Sequence, residues 1–345
     1  MAYGERIDTG PLETYGPLAP YGWSDHWAQL LRRVPDDPVP GRVVRHDGVA
    51  LMVATSDGVV QLSFGRRVSP PPTVGDWVAV ADGEPVAVLE RRSLLRRKAA
   101  DGSTAQSLAA NVDVVLLACG VDRPLNLRRL ERELALVHDA PATPVIVLTK
   151  VAAGVQSALK DALSALDGSA LGADVVATSV KEGIGVEELR GRVGHSTATL
   201  MGESGAGKSS IVNALTGTDS AATASVRSRD SKGRHTTTTR QLHLLSGGGV
   251  LIDSPGIRAV GIWSDPEAVA ETFADLDRLA GECRFADCAH DVEPGCALVA
   301  VAARGDLDPV RLEAWRVLRA EASEAAGAAG FVRRPRNAKT GGRRR

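Results

Sequence analysis

The chain has 345 residues, 43% of them hydrophobic and 24% charged, with a formal charge of −1. That length suits two or three domains, and the composition excludes a wholly disordered protein. No apolar run approaches the roughly 18 to 20 residues that span a bilayer, and no basic-then-apolar leader opens the chain, so a soluble, cytoplasmic protein with no membrane partner is expected.

Residues 1–40 are an extension rich in Pro, Gly and Tyr, with one short helix expected near Asp25 to Arg32. From Gly41 the texture changes to short alternating or β-branched runs: GRVVRH, VALMVA, VVQLSF, DWVAV and PVAVLE. Asp47-Gly48, Asp57-Gly58 and Asp82-Gly83 fall in the gaps, and Asp-Gly is a strong hairpin signal. Five short strands over residues 41–97 suit an OB-like barrel, with another small barrel or sandwich as the alternative. The following RRSLLRRKAA reads as a basic linker.

From Asn111 apolar strands alternate with amphipathic helices, which implies an α/β domain with a mostly parallel sheet over residues 98–264. NVDVVLLACG, PVIVLTK, ADVVATS and TATLMG are the strands. LNLRRLERELALVHDA, VQSALKDALSAL, GVEELRGRV and KSSIVNALTG are the helices, and QLHLLSGGGVLIDSPG adds two strands across a Gly-rich turn. Cys119 sits alone in an apolar run and is expected in the core. Residues 265–330 read as helices around a Cys/His knot. Residues 331–345 form a basic tail. Positions 333–345 hold seven Arg or Lys and no acid, against 34 basic and 42 acidic residues elsewhere, a net of −8. Such a tail can bind nucleic-acid phosphates or be simply solvated.

Gly202, Glu203, Ser204, Gly205, Ala206, Gly207, Lys208 and Ser209 match G-x-x-x-x-G-K-[ST], after a strand and at the start of a helix that continues through Ser210. Glycines let backbone amides close around phosphate oxygens, Lys208 would reach the β- and γ-phosphates, and the Ser209 hydroxyl would bind Mg²⁺. The alternative is a glycine-rich surface turn. Asp253-Ser254-Pro255-Gly256 follows the strand GVLI, which places Asp253 to hold a metal-bound water and the Gly256 amide to meet the γ-phosphate. GRHTTTT, residues 233–239, is either a flexible polar loop or a switch whose Thr236 or Thr237 completes the Mg²⁺ shell. Cys283, Cys288, His290 and Cys296 give C-x4-C-x-H-x5-C, the donor set of a closed structural zinc site, one ion per chain. The alternative is three buried cysteines beside an unrelated histidine.

The order of these pieces is unusual. Thr149-Lys150-Val151-Ala152, similar to the guanine-reading N-K-x-D, and Thr178-Ser179-Val180-Lys181, similar to the S-A-K element, both precede the phosphate loop. With GDWVAV, LNLRRLERELALV, GESGAGKSSIVNAL, GRHTTT, IDSPG and CRFADCAH, the chain resembles the circularly permuted, ribosome small-subunit-dependent GTPase A family from about Gly41 to its end. The resemblance implies an OB barrel, a permuted P-loop GTPase domain and a zinc domain. It also implies Mg²⁺-dependent GTP hydrolysis (GTP in, GDP out) in late maturation of the small ribosomal subunit, with contacts to its rRNA. Nothing demands more than a monomer.

Two departures qualify that implication. Ile257 stands where many GTPases place the Gln that orients water, so slow intrinsic turnover is expected, with His235 as the candidate for proton transfer. Ala152 stands where the family motif ends in Asp, so guanine should be bound more weakly and adenine rejected less well; Ser179 and Val180 amides remain to meet O6. The other readings are an RNA-binding nucleotide switch with little turnover and a P-loop NTPase of relaxed base specificity.

Overall fold

A computed structural model describes residues 12–48, 50–63, 68–98, 105–152, 154–169, 172–217, 240–253 and 265–328. A 3-10 segment, Leu12–Tyr21, and helix α1, Asp25–Leu31, come first, and their Leu18 and Trp27 are buried. Strands β1 (Val39–His46), β2 (Ala50–Thr55), β3 (Gly58–Ser63), β4 (Trp77–Ala81) and β5 (Glu84–Val88) follow, all antiparallel in the order β3-β2-β1-β4-β5. The outer strands β3 and β5 approach one another, giving the curled, OB-like shape expected. At the β4–β5 turn both Asp82 and Gly83 have positive φ, the backbone a two-residue hairpin requires.

The segment read as a basic linker is instead a strand. β6 (Leu94–Lys98) pairs with β7 (Ala105–Ala110) as a two-stranded antiparallel ladder. Arg96 on β6 reaches Asp139 at 2.8 Å, so part of the basic run is spent on internal pairing.

The α/β region carries β8 (Val114–Gly120), α2 (Leu127–Asp139), β9 (Thr143–Thr149), α3 (Gln156–Ser169), β10 (Asp174–Thr178), α4 (Val186–Val193), β11 (Thr197–Gly202), α5 (Lys208–Thr216), β12 (Gln241–Leu244) and β13 (Val250–Asp253). The strand order is β10-β9-β8-β11-β13-β12, parallel except for β12. Every residue of β8 is buried, which is why VVLLACG is a continuous apolar run rather than an alternating one. Asn126 starts α2 by accepting the Arg129 amide on its side chain at 3.1 Å.

The barrel and this sheet are not separate bodies of hydrogen bonding. β1 pairs with β12 at Arg45↔Gln241, making one sheet of 11 strands. Buried Arg42 lies against the Trp77 ring at 5.2 Å, donates to Thr197 Oγ1 at 2.8 Å and also donates to the Tyr21 carbonyl. Helices α6 (Pro266–Thr272), α7 (Ala274–Ala280), α8 (Ala297–Ala303) and α9 (Pro309–Ala328) complete the fold. Their core of Phe273, Leu276, Leu298, Trp315 and Leu318 is buried, and α6 and α9 pack on α2.

Candidate nucleotide and metal sites

The chain runs β8, β9, β10 outward in one direction, then returns to place β11 on the other side of β8. Ligands of open α/β sheets bind at the carboxyl ends of the strands flanking such a reversal. At the β11 end Gly202 lies opposite Ala118 of β8, and Gly202 begins the phosphate loop. Gly202 has φ +136°, and a Cβ there would collide with the Ala118 carbonyl, so the loop leaves β11 in a conformation only glycine allows. Gly205 and Gly207 also have positive φ. The amides of Ser204, Gly205 and Gly207 donate to no described group, while the Ala206 amide is satisfied by the Glu203 carbonyl at 3.2 Å. Ser209 and Ser210 are exposed in the first turn of α5.

Lys208 is half-buried and donates from Nζ to the Gly202 and Glu203 carbonyls at 2.7 and 2.6 Å. Burial lowers its pKa, and the nearby Glu133 carboxylate opposes that shift. Asp253 ends β13, the strand beside β11, and burial raises its pKa while Lys208 and His243 act in the other direction. The sheet thus brings Lys208, Ser209 and Asp253 to one end.

Side chains that sequence reasoning missed surround the loop. The Glu203 carboxylate lies between Arg123 and Arg129, each at 3.3 Å, and Arg123 also donates to the Ser204 carbonyl at 3.2 Å. Arg129 pairs with buried Glu133 at 3.1 Å, an i,i+4 pair on α2. Burial pushes Glu133 up to about 7. The i,i+4 spacing was the only local signal, and it does not say that the pair meets a loop some 70 residues later.

Thr149 ends β9 and is buried; its hydroxyl donates to the Ala206 carbonyl at 2.7 Å, tying this strand to the phosphate loop. Lys150 has φ +64° and reaches Asp122 at 2.7 Å. Val151 donates its amide to the Thr178 carbonyl, and Ala152 accepts from the Val155 amide. Ser179 and Ile184 exchange both backbone bonds, closing a turn after β10 that contains Val180. The Thr149–Ala152 and Ser179–Val180 segments therefore lie together, beside the phosphate loop. His235, Thr236, Thr237, Gly256 and Ile257 fall outside the described residues.

The four knot residues converge as the spacing requires. One ligand atom from each of Cys283, Cys288, His290 and Cys296 lies within 4.8 Å of all the others. Cys283 Sγ is 3.9 Å from Cys296 Sγ, and His290 Nδ1 is 3.4 and 3.8 Å from those two sulfurs. Zinc bonds of about 2.3 Å give tetrahedral edges of roughly 3.8 Å, so the donor set fits that ion. Arg316 donates to the His290 carbonyl, and the His290 ring lies 5.2 Å from the Trp315 ring. The Glu293 carboxylate accepts the Ala289 and Asp291 amides at 2.9 Å and shapes the loop between the ligands.

Comparison with known proteins agrees with this arrangement. The model of the RsgA GTPase family matches residues 88–263. A small ribosomal subunit biogenesis GTPase RsgA of Streptomyces coelicolor is 41% identical over 324 residues, 91% of this chain and 88% of that protein. An RsgA 2 protein of Vibrio parahaemolyticus is 39% identical over 322 residues, 89% of this chain and 86% of its own length. Among solved structures, YjeQ of Thermotoga maritima superposes with a TM-score of 0.59 at 25% identity, covering 83% of this chain and 98% of that one. YloQ, described as a circularly permuted GTPase, shares the fold with a TM-score of 0.56 at 20% identity, covering 85% and 97%. A phosphate loop at the switch point, base-side segments that precede it in the chain, and these similarities together place the chain in the RsgA GTPase family.

Proposed function

We infer that this chain hydrolyses GTP in the biogenesis of the small ribosomal subunit. The observation that carries the reading is the phosphate loop at the reversal point of the sheet, with Lys208, Ser209 and Asp253 gathered at its mouth. The names of the RsgA relatives supply the biological setting.

Phosphoryl transfer to water asks little covalent chemistry of a protein; positioning and charge neutralisation do most of the work. The free amides of Ser204, Gly205 and Gly207 cradle phosphate oxygens. Lys208, now held by two loop carbonyls, exchanges them for the β- and γ-phosphates. Ser209 and Asp253 would hold Mg²⁺, with Thr236 or Thr237 joining when GTP is present; the ion would supply neutralising charge for the phosphate oxygens. Ile257 cannot orient water, so turnover by the isolated chain is slow, and His235 manages the proton when the subunit docks. Zinc held by Cys283, Cys288, His290 and Cys296 would be structural, because four protein ligands leave no open position.

The same reading divides the chain into an extension (1–40), an RNA-contacting barrel (41–97), the GTPase domain (98–264), the zinc domain (265–330) and a basic tail (331–345) that follows rRNA phosphates. It acts as a cytoplasmic monomer; no helix among the described residues is long and apolar enough to cross a membrane. The test is GTP hydrolysis with and without purified small subunits. Slow turnover alone and strong stimulation by subunits is the expected result; no turnover in either arm overturns the reading.

A further inference from the structure

The base end of the nucleotide site differs from its phosphate end. The ends of β9 and β10 lie two and three strands from β11, roughly 10 and 14 Å at 4.8 Å per strand. That is the span of a nucleotide laid across the sheet edge from the phosphate loop. Thr149 locks the nearer strand end to the loop through the Ala206 carbonyl. Whatever recognises the base therefore comes from residues after Thr149 and after Thr178.

Two kinds of group are available on a purine for recognition here. At C6 guanine and hypoxanthine carry a carbonyl acceptor, whereas adenine carries an amine donor. At C2 guanine carries an amine donor that hypoxanthine lacks. Reading the C6 oxygen takes an N–H donor; reading the C2 amine and N1–H takes an acceptor, best a carboxylate.

The β10 turn supplies the donor. Ser179 and Ile184 consume each other's backbone groups, and the Glu182 and Gly183 amides bond back to the Ser179 and Val180 carbonyls. The amides of Val180 and Lys181 donate to no described group. These two amides leave donors in the turn for an oxygen.

Among the described residues that follow β9 the acceptor is missing. No Asp or Glu occurs from Thr149 to Lys160. Ala152 offers only its backbone carbonyl, which accepts from Val155, and the Gln156 carbonyl oxygen is taken by the Gly154 amide at 3.0 Å. The Asp122 carboxylate is drawn to this loop, but Lys150 Nζ holds it at 2.7 Å. That ion pair spends Asp122 Oδ2 on the lysine ammonium.

We propose that the site selects 6-oxopurine nucleotides as a class, reading the C6 oxygen through Val180 and Lys181 amides and leaving the C2 position unread, so that inosine triphosphate is a substrate equal to GTP. The proposal rests on the nucleotide-site reading above and extends it to the base.

The experiment is displacement of fluorescently labelled GDP from the full-length, zinc- and Mg²⁺-loaded chain by GTP, inosine triphosphate, xanthosine triphosphate and ATP. Turnover is measured in parallel with the same four nucleotides. GTP and inosine triphosphate should compete within about threefold of each other, while ATP, which sets a donor against donors, should be weaker by about tenfold or more. Xanthosine triphosphate, whose C2 carbonyl meets no carboxylate, should stay within about tenfold of GTP. In Ala152→Asp, GTP should gain on inosine triphosphate by about tenfold or more, since a charged acceptor now meets the C2 amine. Wild-type preference for GTP over inosine triphosphate by tenfold or more, or ATP competing as well as inosine triphosphate, would overturn the proposal while leaving the nucleotide site intact. Wild-type ratios alone decide the matter if the variant fails to fold. If no nucleotide displaces the labelled GDP, the reading under Proposed function falls first and this one with it.

Discussion

The phosphate loop and the Cys/His knot are both built to hold a charged ligand, and they use opposite parts of the chain. In the loop the donors are backbone amides, and their placement is set by β11, by the contact of Gly202 with β8 and by the start of α5. A large sheet packed into two apolar core clusters determines that geometry. In the knot the donors are side chains in the connection between short α7 and α8, seven residues each, and the ligand residues themselves make much of the local contact. A backbone site therefore survives without its ligand, while a side-chain site that crowds three sulfurs and an imidazole depends on its ion. Helix α2 stands between the two. Its Arg129 and Glu133 face the phosphate loop, whereas Glu131 and Arg132 bond Arg311 and Glu321 on α9.

Metal removal gives the largest contrast. Structural zinc contributes on the order of 10 kcal/mol to small metal-dependent units. Purified protein should contain about one zinc per chain, and chelation should expose amides of residues 274–303 to hydrogen exchange while those of β8 and β11 stay protected. Unchanged protection around Cys283 to Cys296 after complete metal removal would break the comparison. Removing nucleotide should leave exchange in both regions close to that of the GDP complex outside the loop itself.

Lys208→Ala should act in the opposite way. Loss of the ammonium from the β- and γ-phosphates should lower kcat/KM for GTP by about 100- to 1,000-fold, or about 3 to 4 kcal/mol of transition-state stabilisation, with little change in unfolding midpoint. Activity within tenfold of wild type would remove Lys208 from the mechanism. Gly202→Ala is the structural counterpart. A methyl group against the Ala118 carbonyl, on a backbone at φ +136°, should cost about 2 to 3 kcal/mol in urea unfolding and weaken GDP binding as well. A stability change below about 0.5 kcal/mol would show that the loop can rebuild without its glycine.

What the sequence revealed follows the same division. The phosphate loop and the knot were legible because each is a short run with its chemistry in fixed spacing. The parallel strands were legible because VVLLACG and VIVLT are unbroken apolar runs. The β6–β7 ladder was not: RRK looks like linker until Ala105–Ala110 supplies its hydrogen bonds and Asp139 neutralises Arg96. Nor was the junction of barrel and sheet, since the Arg45↔Gln241 pairing joins residues almost 200 positions apart. Local pattern carries no information about such a partner. Ala152 shows the converse, a change plain in the sequence whose consequence depends on the free amides of the β10 turn.

The smallest expected effect separates the two faces of α2 by pH. Burial pushes both Glu131 and Glu133 from about 4.5 up to about 7, even though each has an arginine partner. A carboxyl whose folded pKa is raised holds its proton in the folded chain while the unfolded chain has lost it. Both residues therefore favour folding on the acid side, and that advantage disappears as pH rises from about 4.5 through 7. Glu131→Gln and Glu133→Gln should each flatten the fall of unfolding free energy across that window by on the order of 1 to 2 kcal/mol. Their effects on nucleotide should differ. Glu133 opposes the phosphate loop through Arg129 and Lys208, so its ionisation should weaken GDP binding modestly as pH rises through 7, and Glu133→Gln should abolish that slope. Glu131 bonds Arg311 at 3.0 Å on the far side of the helix, and its replacement should leave the GDP profile unchanged. GDP affinity measured between pH 5.5 and 8 for both variants decides it. An equal change in the two profiles would mean that α2 transmits charge effects across its whole width, and that the phosphate loop and the knot are not electrostatically separate.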